Sequence, residues 1–306
     1  MQIYTPDEIA AMLKISKHTV YEMIKRGDLA AFKVGNKMRI EESEFTRYKA
    51  SMSSIPARAP ESTGSAQHSL QLAGSHDFLV EQLVKYVATD GTGLSVTPSY
   101  IGSLEGLMML YRGSADIAAV HLLDPSSQQY NLPFIHQLFV HEPITVMRLA
   151  SREQGLIVAK GNPKKISGVK DLARPDVSLI NRQKGSGTRF LLDSFLASEK
   201  LDPASVKGYE NEEWTHLAAA AHISRGTADS AFGIKCAASQ LNLDFIPLTK
   251  EQFDLVFRWT PGNKAALQHL IDLIQLTNFK DSIEDFDGYD AEEFGKIIYA
   301  NHTTEV

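Results

Sequence analysis

Apolar and polar positions along this chain follow two periods, about two residues in some segments and about 3.6 in others. From residue 69 onward, short apolar or β-branched runs such as "SLQLAG", "GLSVTPSYI", "DIAAVHLL" and "DVSLI" predict strands. Helical spacing separates them, as in "DFLVEQLVKYV", "SLEGLMMLYRG" and "GTRFLLDSFLAS". The alternation predicts an α/β fold with mostly parallel sheets over residues 69–306, with a ligand outside the carboxyl ends of the strands.

The first fifty residues have a different pattern, two short helices followed by a hairpin. In "TPDEIAAML", Thr5 is the expected N-cap and Pro6 the first helical residue. After the turn "KIS", the segment "SKHTVYEMIKRGDL" predicts a second helix, and "AAFKVGNKMRI" predicts a hairpin around Gly35-Asn36. Two helices so joined predict a helix-turn-helix whose second helix lies in the major groove of DNA, with the basic hairpin as a wing.

A stretch rich in Ser, Pro, Ala and Gly, residues 51–68, predicts a flexible linker. It separates a DNA-binding domain at 1–50 from a larger domain at 69–306. Nine basic and seven acidic residues give residues 1–50 a charge of +2, whereas the whole chain carries −6. Because +2 is modest for a DNA-binding domain, we expect a homo-oligomer, a dimer or tetramer, bound to repeated half-sites of double-stranded DNA.

The amino-acid composition excludes several classes of protein. The 306 residues are 43% hydrophobic and 22% charged, as in ordinary globular proteins. The single cysteine, Cys236, excludes an internal disulfide and a cysteine-cluster metal site, and its apolar surroundings predict a buried structural thiol. Neither a secretory signal nor an apolar run of about 18 residues is present, so a cytoplasmic protein without a membrane span is expected.

Three strand-to-helix junctions share one chemistry: "LAGSHDF", "IGSLEG" and "KGSGTR". Each places a Gly-Ser pair at a helix start, where backbone N–H groups, hydroxyls and the helix dipole favour an anion. Ordinary capping would explain any one of them. Three together predict helix starts that converge on one small anion, through Ser75, Ser103, Ser186, Gly187 and Thr188.

Motifs for the common enzyme classes are missing from the sequence. It has no Walker pattern, no complete dinucleotide fingerprint, no GxSxG elbow and no histidine spacing typical of a metal pair. His76 beside Asp77 could serve acid–base chemistry, so an enzyme stays the less favoured alternative. We therefore expect no catalytic residues, no metal and no cofactor.

The segment "YTPDEIAAMLKISKHTVYEMIKRGDLAAFKVGNKMRI" resembles the winged helix-turn-helix of the excisionase and MerR-like group. The resemblance implies DNA contacts from the start of the second helix and backbone contacts from the wing. The residues that it assigns to DNA are Lys17, His18, Thr19, Tyr21, Lys37 and Arg39. The alternative for each is a solvated surface, and for Tyr21 a place in the core.

The larger domain resembles the periplasmic-binding-protein-like domain related to molybdate-type substrate-binding proteins. The resemblance rests on "GSHD", "GSLEGLMMLYRGSADIAAVHLLD", "YNLPF", "REQGLIVAKGNP", "NRQKGSGTRFLLD" and "ADSAFGI". It implies a type II fold of two α/β lobes, the second at about 150–235, joined by crossover strands around a ligand cleft. It further implies a one-component transcriptional regulator that senses an oxyanion, molybdate or tungstate first.

Carried over residue by residue, the resemblance assigns ligand contacts to both lobes. Ser75 and Ser103 belong to the first lobe and Ser186, Gly187 and Thr188 to the second. The same motifs contain His76, His121, Arg152 and Arg189. Asp77 would repel an anion and is expected to cap or pack.

The arginines leave the ligand class open, because bidentate arginine suits carboxylates, phosphates or sulfonates better than molybdate. Either Arg152, Arg182 and Arg189 face the surface or the hinge, or the ligand is a small organic anion such as a sulfonate, carboxylate or phosphate ester. His121 also has two interpretations, a ligand contact or a hydrogen-bonded core histidine. The segment "HLLD" (121–124) could instead join the lobes, near Tyr130 and Asn131.

Overall fold

The computed structural model describes residues 3–13, 20, 24, 29–34, 37–46, 69–281, 283 and 286–302. The chain divides into two compact units, Met1–Gly64 and Ser65–Val306. The division falls inside the predicted linker, residues 51–68, which lies outside the described residues together with the predicted domain boundary at residue 50. These boundaries stay predictions.

The smaller unit contains a helix and a three-stranded antiparallel sheet of order β1-β3-β2. Its elements are β1 (Ile3–Tyr4), α1 (Pro6–Leu13), β2 (Phe32–Val34) and β3 (Lys37–Glu41), and residues 42–46 are helical. The Thr5 hydroxyl accepts from the Glu8 N–H at 3.2 Å while the Glu8 carboxylate accepts from the Thr5 N–H at 2.7 Å. This capping box confirms the predicted helix start. The hairpin strands are confirmed as well.

A small core holds this unit together, formed by Ile9, Val20, Leu29, Ile40 and Phe45. The four helix residues assigned to DNA lie outside the described residues: Lys17, His18, Thr19 and Tyr21. Of the two wing residues, Lys37 begins β3, and the half-buried Arg39 donates from Nη1 to the Met38 carbonyl at 2.9 Å. DNA contact by all six stays a prediction.

The larger unit starts with a lobe of alternating strands and helices. Its elements are β4 (Ser69–Gly74), α2 (Phe78–Thr89), β5 (Ser95–Tyr100), α3 (Ser103–Tyr111), β6 (Ile117–Val120), β7 (Leu123–Asp124), β8 (Gln129–Tyr130), α4 (Leu132–Leu138) and β9 (Ile144–Val158). Strand β4 pairs in parallel with both β5 and β6. Since α2 and α3 each follow a parallel strand, their N-terminal ends lie at the carboxyl edge of the sheet.

The second lobe repeats this design. Its elements are β10 (Leu179–Arg182), α5 (Gly187–Ser198), β11 (Glu212–Glu213), α6 (His216–Ser224), β12 (Ser230–Ile234), α7 (Lys235–Gln240) and β13 (Asp244–Arg258), with 3-10 turns at Val169–Ala173 and Pro203–Ser205. Strand β10 pairs in parallel with β11 and β12. The chain then returns to the first lobe through α8 (Lys264–Ile274), α9 (Thr277–Asp281), β14 (Tyr289–Asp290) and β15 (Ile297–Ala300).

Two long strands, β9 and β13, join the lobes. They pair antiparallel along their whole length in a sheet of order β11-β10-β12-β9-β13-β6-β4-β5. One end of β9 pairs with β12 and its other end with β14 and β15, so each end belongs to a different lobe. The predicted α/β fold with two lobes and crossover strands is confirmed. Each lobe has its own core, around Leu83 and Phe257 in the first and Leu192 and Phe232 in the second.

The sequence pattern was wrong about one element. "FIPLT" and "FDLVFRW" predict two strands, but both belong to the single strand β13. A register shift between Pro247 and Thr249 interrupts its pairing with β9, because proline has no N–H to donate to a ladder. The unit also buries Cys236, as predicted. In the part of the chain that the structure describes, no helix combines the length and apolarity needed to span a bilayer.

Candidate functional site

The first-lobe wall of the cleft is built around two serines. Ser75 follows β4, and Ser103 begins α3. Their hydroxyl oxygens lie 2.7 Å apart, and both side chains are buried. The Ser103 hydroxyl also accepts from the His121 N–H at 3.2 Å, and the Ser75 N–H donates to the Ala119 carbonyl at 2.9 Å. The ends of β4 and β6 and the start of α3 therefore meet at one point.

The second-lobe wall is the loop that opens α5. Ser186 is the N-cap, and its hydroxyl accepts from the Arg189 N–H at 3.2 Å. Gly187 packs directly on His121, since a Cβ there would lie 2.4 Å from the His121 carbonyl oxygen. The Thr188 hydroxyl accepts from the Gln154 side-chain amide at 3.3 Å. The structure thus brings this helix start against the first lobe through His121.

The backbones of the two walls are also in direct contact. The Leu104 N–H, in the first turn of α3, donates to the Gly185 carbonyl at 3.3 Å. A Cβ on Gly102 would lie 3.1 Å from the same carbonyl oxygen. The lobes are in direct contact here, so this arrangement is a closed one. Opening it would break the Leu104–Gly185 bond and separate Ser103 from Ser186.

Between the walls, the crossover strands carry a buried ionic cluster, which we call the hinge cluster: Arg152, Asp77, Glu251, His121 and Tyr289. Arg152 donates to both Asp77 and Glu251, and its guanidinium lies 4.2 Å from the centre of the Phe253 ring. Tyr289 donates to Asp77, and a His121 ring nitrogen lies 2.8 Å from Glu251. The cluster ties α2, β6, β9, β13 and β14 together.

Charges in the hinge cluster compensate one another. Burial works to raise the pKa of Glu251, but the charge of Arg152 and the contact with His121 outweigh it and hold that pKa at about 2. Burial also works against the charge of Arg152, yet Glu251 and Asp77 raise its pKa. For His121, burial outweighs Glu251 and lowers the pKa, so its ring is neutral at pH 7. The carboxylates of Asp77 and Glu251 therefore already neutralise the charge of Arg152, which makes it a poor partner for an anion.

Arg182, at the end of β10, has a different environment. Its guanidinium donates to the carbonyls of Glu213 at 3.1 Å and Trp214 at 2.7 Å, and within the described residues its Nη1 atom has no hydrogen-bond partner. Burial lowers its pKa to about 9, and the charge of Arg152 adds to this effect. The arginine is buried, but carbonyls rather than a carboxylate hold it. Such a charge is strongly stabilised by an anion.

His216 begins α6 and is also buried. Its Nδ1 has no partner among the described residues. Burial, and after it the charges of Arg182 and Arg152, keep the pKa of His216 well below its ordinary value. Further buried polar atoms without a partner in the described chain are Gln154 Oε1, Gln183 Oε1 and Arg152 Nε. Buried polar groups are nearly always paired, so these unpaired atoms are suited to a polar ligand.

Several predicted residues have other partners. His76 pairs with Glu81 at 2.7 Å and packs edge-on against Tyr100. Arg189 donates to Glu212 at 3.2 Å and lies 3.9 Å above the Tyr209 ring. Asp77 accepts from the Leu79 N–H at 2.8 Å as the N-cap of α2, which confirms its capping role.

Exposure decides where the arginines lie. Arg152, Arg182 and Arg189 are only 1%, 3% and 5% exposed. The interpretation that they face the surface is wrong, and Arg152 lies in the hinge. His121 is a hydrogen-bonded core histidine. Whether any of these residues touches ligand stays a prediction.

Some of the site was missed in the sequence. Glu251 and Gln154 interrupt apolar strands, and a polar residue inside a buried strand is a signal that could have found them. His216 and His222 are six residues apart, a spacing that does not suit a metal pair, and the sequence gives no other signal for His216. Among the described residues, no group of His, Cys, Asp and Glu could hold a metal ion. Tyr289 carries no sequence signal, because it reaches the cluster from the far end of the chain.

Known proteins share this architecture. A helix-turn-helix domain matches residues 3–53, and a PBP superfamily domain matches residues 84–275. YvgK of Bacillus subtilis strain 168 is 36% identical over 305 residues, 96% of this chain and 97% of its own length. The fold resembles the tungstate ABC transporter from Geobacter sulfurreducens, with a TM-score of 0.52 and 14% identity over 72% of this chain and 100% of that chain.

A second solved structure covers more of this chain. A hydrogen-peroxide-bound OxyR variant from Corynebacterium glutamicum has a TM-score of 0.51 and 12% identity over 92% of this chain and 89% of that chain. At these identities the two structures show the fold alone. The family matches, together with the two lobes, identify this chain as a member of the PBP superfamily that carries an N-terminal helix-turn-helix domain.

Proposed function

We propose that this chain is a ligand-responsive transcriptional regulator that binds DNA through residues 1–50 and a small anion in the cleft of residues 69–306. A helix-turn-helix domain joined to a PBP domain is typical of regulators without enzymatic activity. Ligand acts by binding the closed arrangement of the lobes better than the open one, because only a difference in affinity can shift the equilibrium.

The observation that carries the proposal is the buried, incompletely paired guanidinium of Arg182. Among the described residues, Arg182 Nη1 has no partner and no carboxylate pairs with the guanidinium. The hydroxyls of Ser75, Ser103 and Thr188 add donors that suit an anion. His76, His121, Arg152, Ser186, Gly187 and Arg189 are proposed as supporting residues of this cleft.

The sequence resemblance favours molybdate or tungstate, for which hydroxyls and N–H groups suffice. The alternative that the sequence left open is a small organic sulfonate, carboxylate or phosphate ester, and the burial of Arg182 supports it. A thermal melt of the full chain against both groups of anions, with sulfate and phosphate, separates them. An anion at a hundredfold excess over its Kd stabilises the folded state by about 2.7 kcal/mol.

The matching variant is Ser75→Ala with Thr188→Ala. We expect it to lose the thermal shift while it keeps its basal affinity for DNA, measured by anisotropy on an operator selected from a random pool. A normal ligand response in this variant would place the site elsewhere. The double variant Lys17→Ala with Thr19→Ala is expected to bind DNA more weakly and to keep the thermal shift with the anion.

A further inference from the structure

A crevice of about 470 Å³ opens where the start of α3 faces the start of α5. Its apolar lining comes from both lobes, Ile101 and Leu104 from the first and Phe190 from the second. Leu104 and Phe190 are 36% and 40% exposed, high values for large apolar side chains on facing helix starts. An apolar group held between them would be buried by both lobes at once. Its burial would therefore favour the closed arrangement.

The crevice and the candidate anion site are formed by neighbouring residues of the same two loops. Gly185 lines it, and the Gly185 carbonyl accepts the Leu104 N–H that joins the two walls. Ser103 precedes Leu104 and Ser186 follows Gly185, and both serines are buried whereas Leu104 is partly exposed. A ligand whose charged group lies among the serines can extend past this contact into the crevice when the lobes open and close again.

Charges around the crevice do not suit an anion. Glu105 and Asp193 line it together with Lys184 and Arg189. The guanidinium of Arg189 is already engaged by Asp193 at 3.3 Å and Glu212 at 3.2 Å. The charged group of a ligand would therefore bind in the inner site, beside Arg182, and the crevice would take an uncharged part.

We propose that the natural ligand is an organic anion whose apolar chain or ring occupies this crevice. The inference rests on the proposed function and deepens it by naming the ligand class. The crevice adds a second contact, an apolar one, that both lobes make with the ligand only when they are closed. Inorganic oxyanions would fill the inner site alone.

Isothermal titration calorimetry of the full chain tests this with linear sulfonates and carboxylates of one to six carbons, and with molybdate. We expect the affinity to rise about fourfold with each methylene until the crevice is filled. Leu104→Ala combined with Phe190→Ala should flatten this rise and leave the one-carbon anions unchanged. Tyr111→Ala is the matched control, because Tyr111 is an equally exposed aromatic residue on α3 that packs on Phe139, outside the crevice lining.

Each outcome decides one of the two claims. Molybdate or a one-carbon anion that binds as tightly as the six-carbon anion would overturn the crevice proposal and leave the anion-sensing function standing. A chain-length dependence that persists in the double variant would overturn the crevice proposal as well. If neither molybdate nor any member of either series bound, the proposed function itself would be contradicted.

Discussion

Two buried arginines of the larger unit, Arg152 and Arg182, differ in what surrounds them. Arg152 lies in the hinge between the carboxylates of Asp77 and Glu251. Arg182 lies on the second-lobe wall and is held by two backbone carbonyls. Both are buried almost completely, yet opposing effects govern their pKa values, which carboxylates raise for Arg152 and burial lowers for Arg182.

The difference indicates two roles for one residue type. The charge of a buried guanidinium is neutralised when two carboxylates pair with it. Arg152 therefore stabilises the hinge between the lobes and is poorly suited to bind a ligand. A buried guanidinium without a carboxylate lacks a negative partner, and an anionic ligand would supply one. Neither burial nor residue type separates the two arginines; their partners do.

The largest effect is expected from Arg152→Met. Removing the guanidinium leaves Asp77 and Glu251 as buried carboxylates without their main partner. Loss of one member of such a cluster costs about 3–5 kcal/mol of unfolding free energy. Urea unfolding of the variant measures this. A loss below about 1 kcal/mol would mean that the hinge cluster does not stabilise the fold.

A pH effect on stability follows from Glu251. Its pKa is about 2 in the folded chain against an ordinary 4.5, so its contribution is complete above pH 4.5 and is lost as the pH falls toward 2. By linkage the contribution is on the order of 3 kcal/mol. Urea unfolding from pH 6 to pH 3 should show it.

Glu251→Gln is the control for this pH effect. Burial raises the pKa of Asp254, which contributes with the opposite sign, so the difference between wild type and variant isolates Glu251. Equal pH dependence in the two proteins would show that Glu251 is not held ionised by Arg152.

Arg182→Gln should change ligand binding more than stability. Loss of a charge that no carboxylate pairs should leave the unfolding free energy unchanged or slightly higher, because the desolvation cost disappears. Affinity for the stabilising anion should fall at least tenfold, which removes about 1.4 kcal/mol of ligand-induced stabilisation. Thermal melts with and without the anion measure both effects.

A surface arginine provides the matched control for that variant. Arg174 pairs with Asp176 at an exposed position, so Arg174→Gln should alter neither stability nor anion affinity by more than a few tenths of a kcal/mol. If Arg182→Gln and Arg174→Gln bound the anion equally well, Arg182 would have no role in anion binding that distinguishes it from Arg152.

The smallest effect is expected from Tyr289→Phe. The substitution removes one hydrogen bond to Asp77 but leaves Arg152 and the ring packing in place. A loss of about 1 kcal/mol in unfolding free energy is expected, with anion affinity unchanged. A larger loss than that of Arg152→Met would make the strand β14, rather than the arginine, the main support of the hinge.

Local signals in the sequence predicted local features. Thr5 with Glu8, the N-cap Ser186 and the Gly-Ser pair before α3 each lie within four residues of the helix they start. The alternation of strands and helices predicted the fold class for the same reason. The position of β13 as one strand was missed because Pro247 and Glu251 interrupt its apolar pattern.

The pairings within the hinge cluster could not be predicted from the sequence. Arg152 meets Asp77 and Glu251 across 75 and 99 residues of chain, and Tyr289 lies 212 residues from Asp77. Such pairings depend on the register of β9 with β13, which no local pattern encodes. The resemblance drew attention to arginines in the motifs, but only the fold distinguishes Arg152 from Arg182.

One titration tests whether an anion in the cleft controls DNA binding. Full-length protein is titrated into fluorescent operator DNA with and without the anion that raises its melting temperature most. We predict a change in DNA affinity of at least fivefold, and by reciprocity the operator changes the anion affinity by the same factor. A DNA affinity that stays constant while the anion stabilises the protein would contradict the claim.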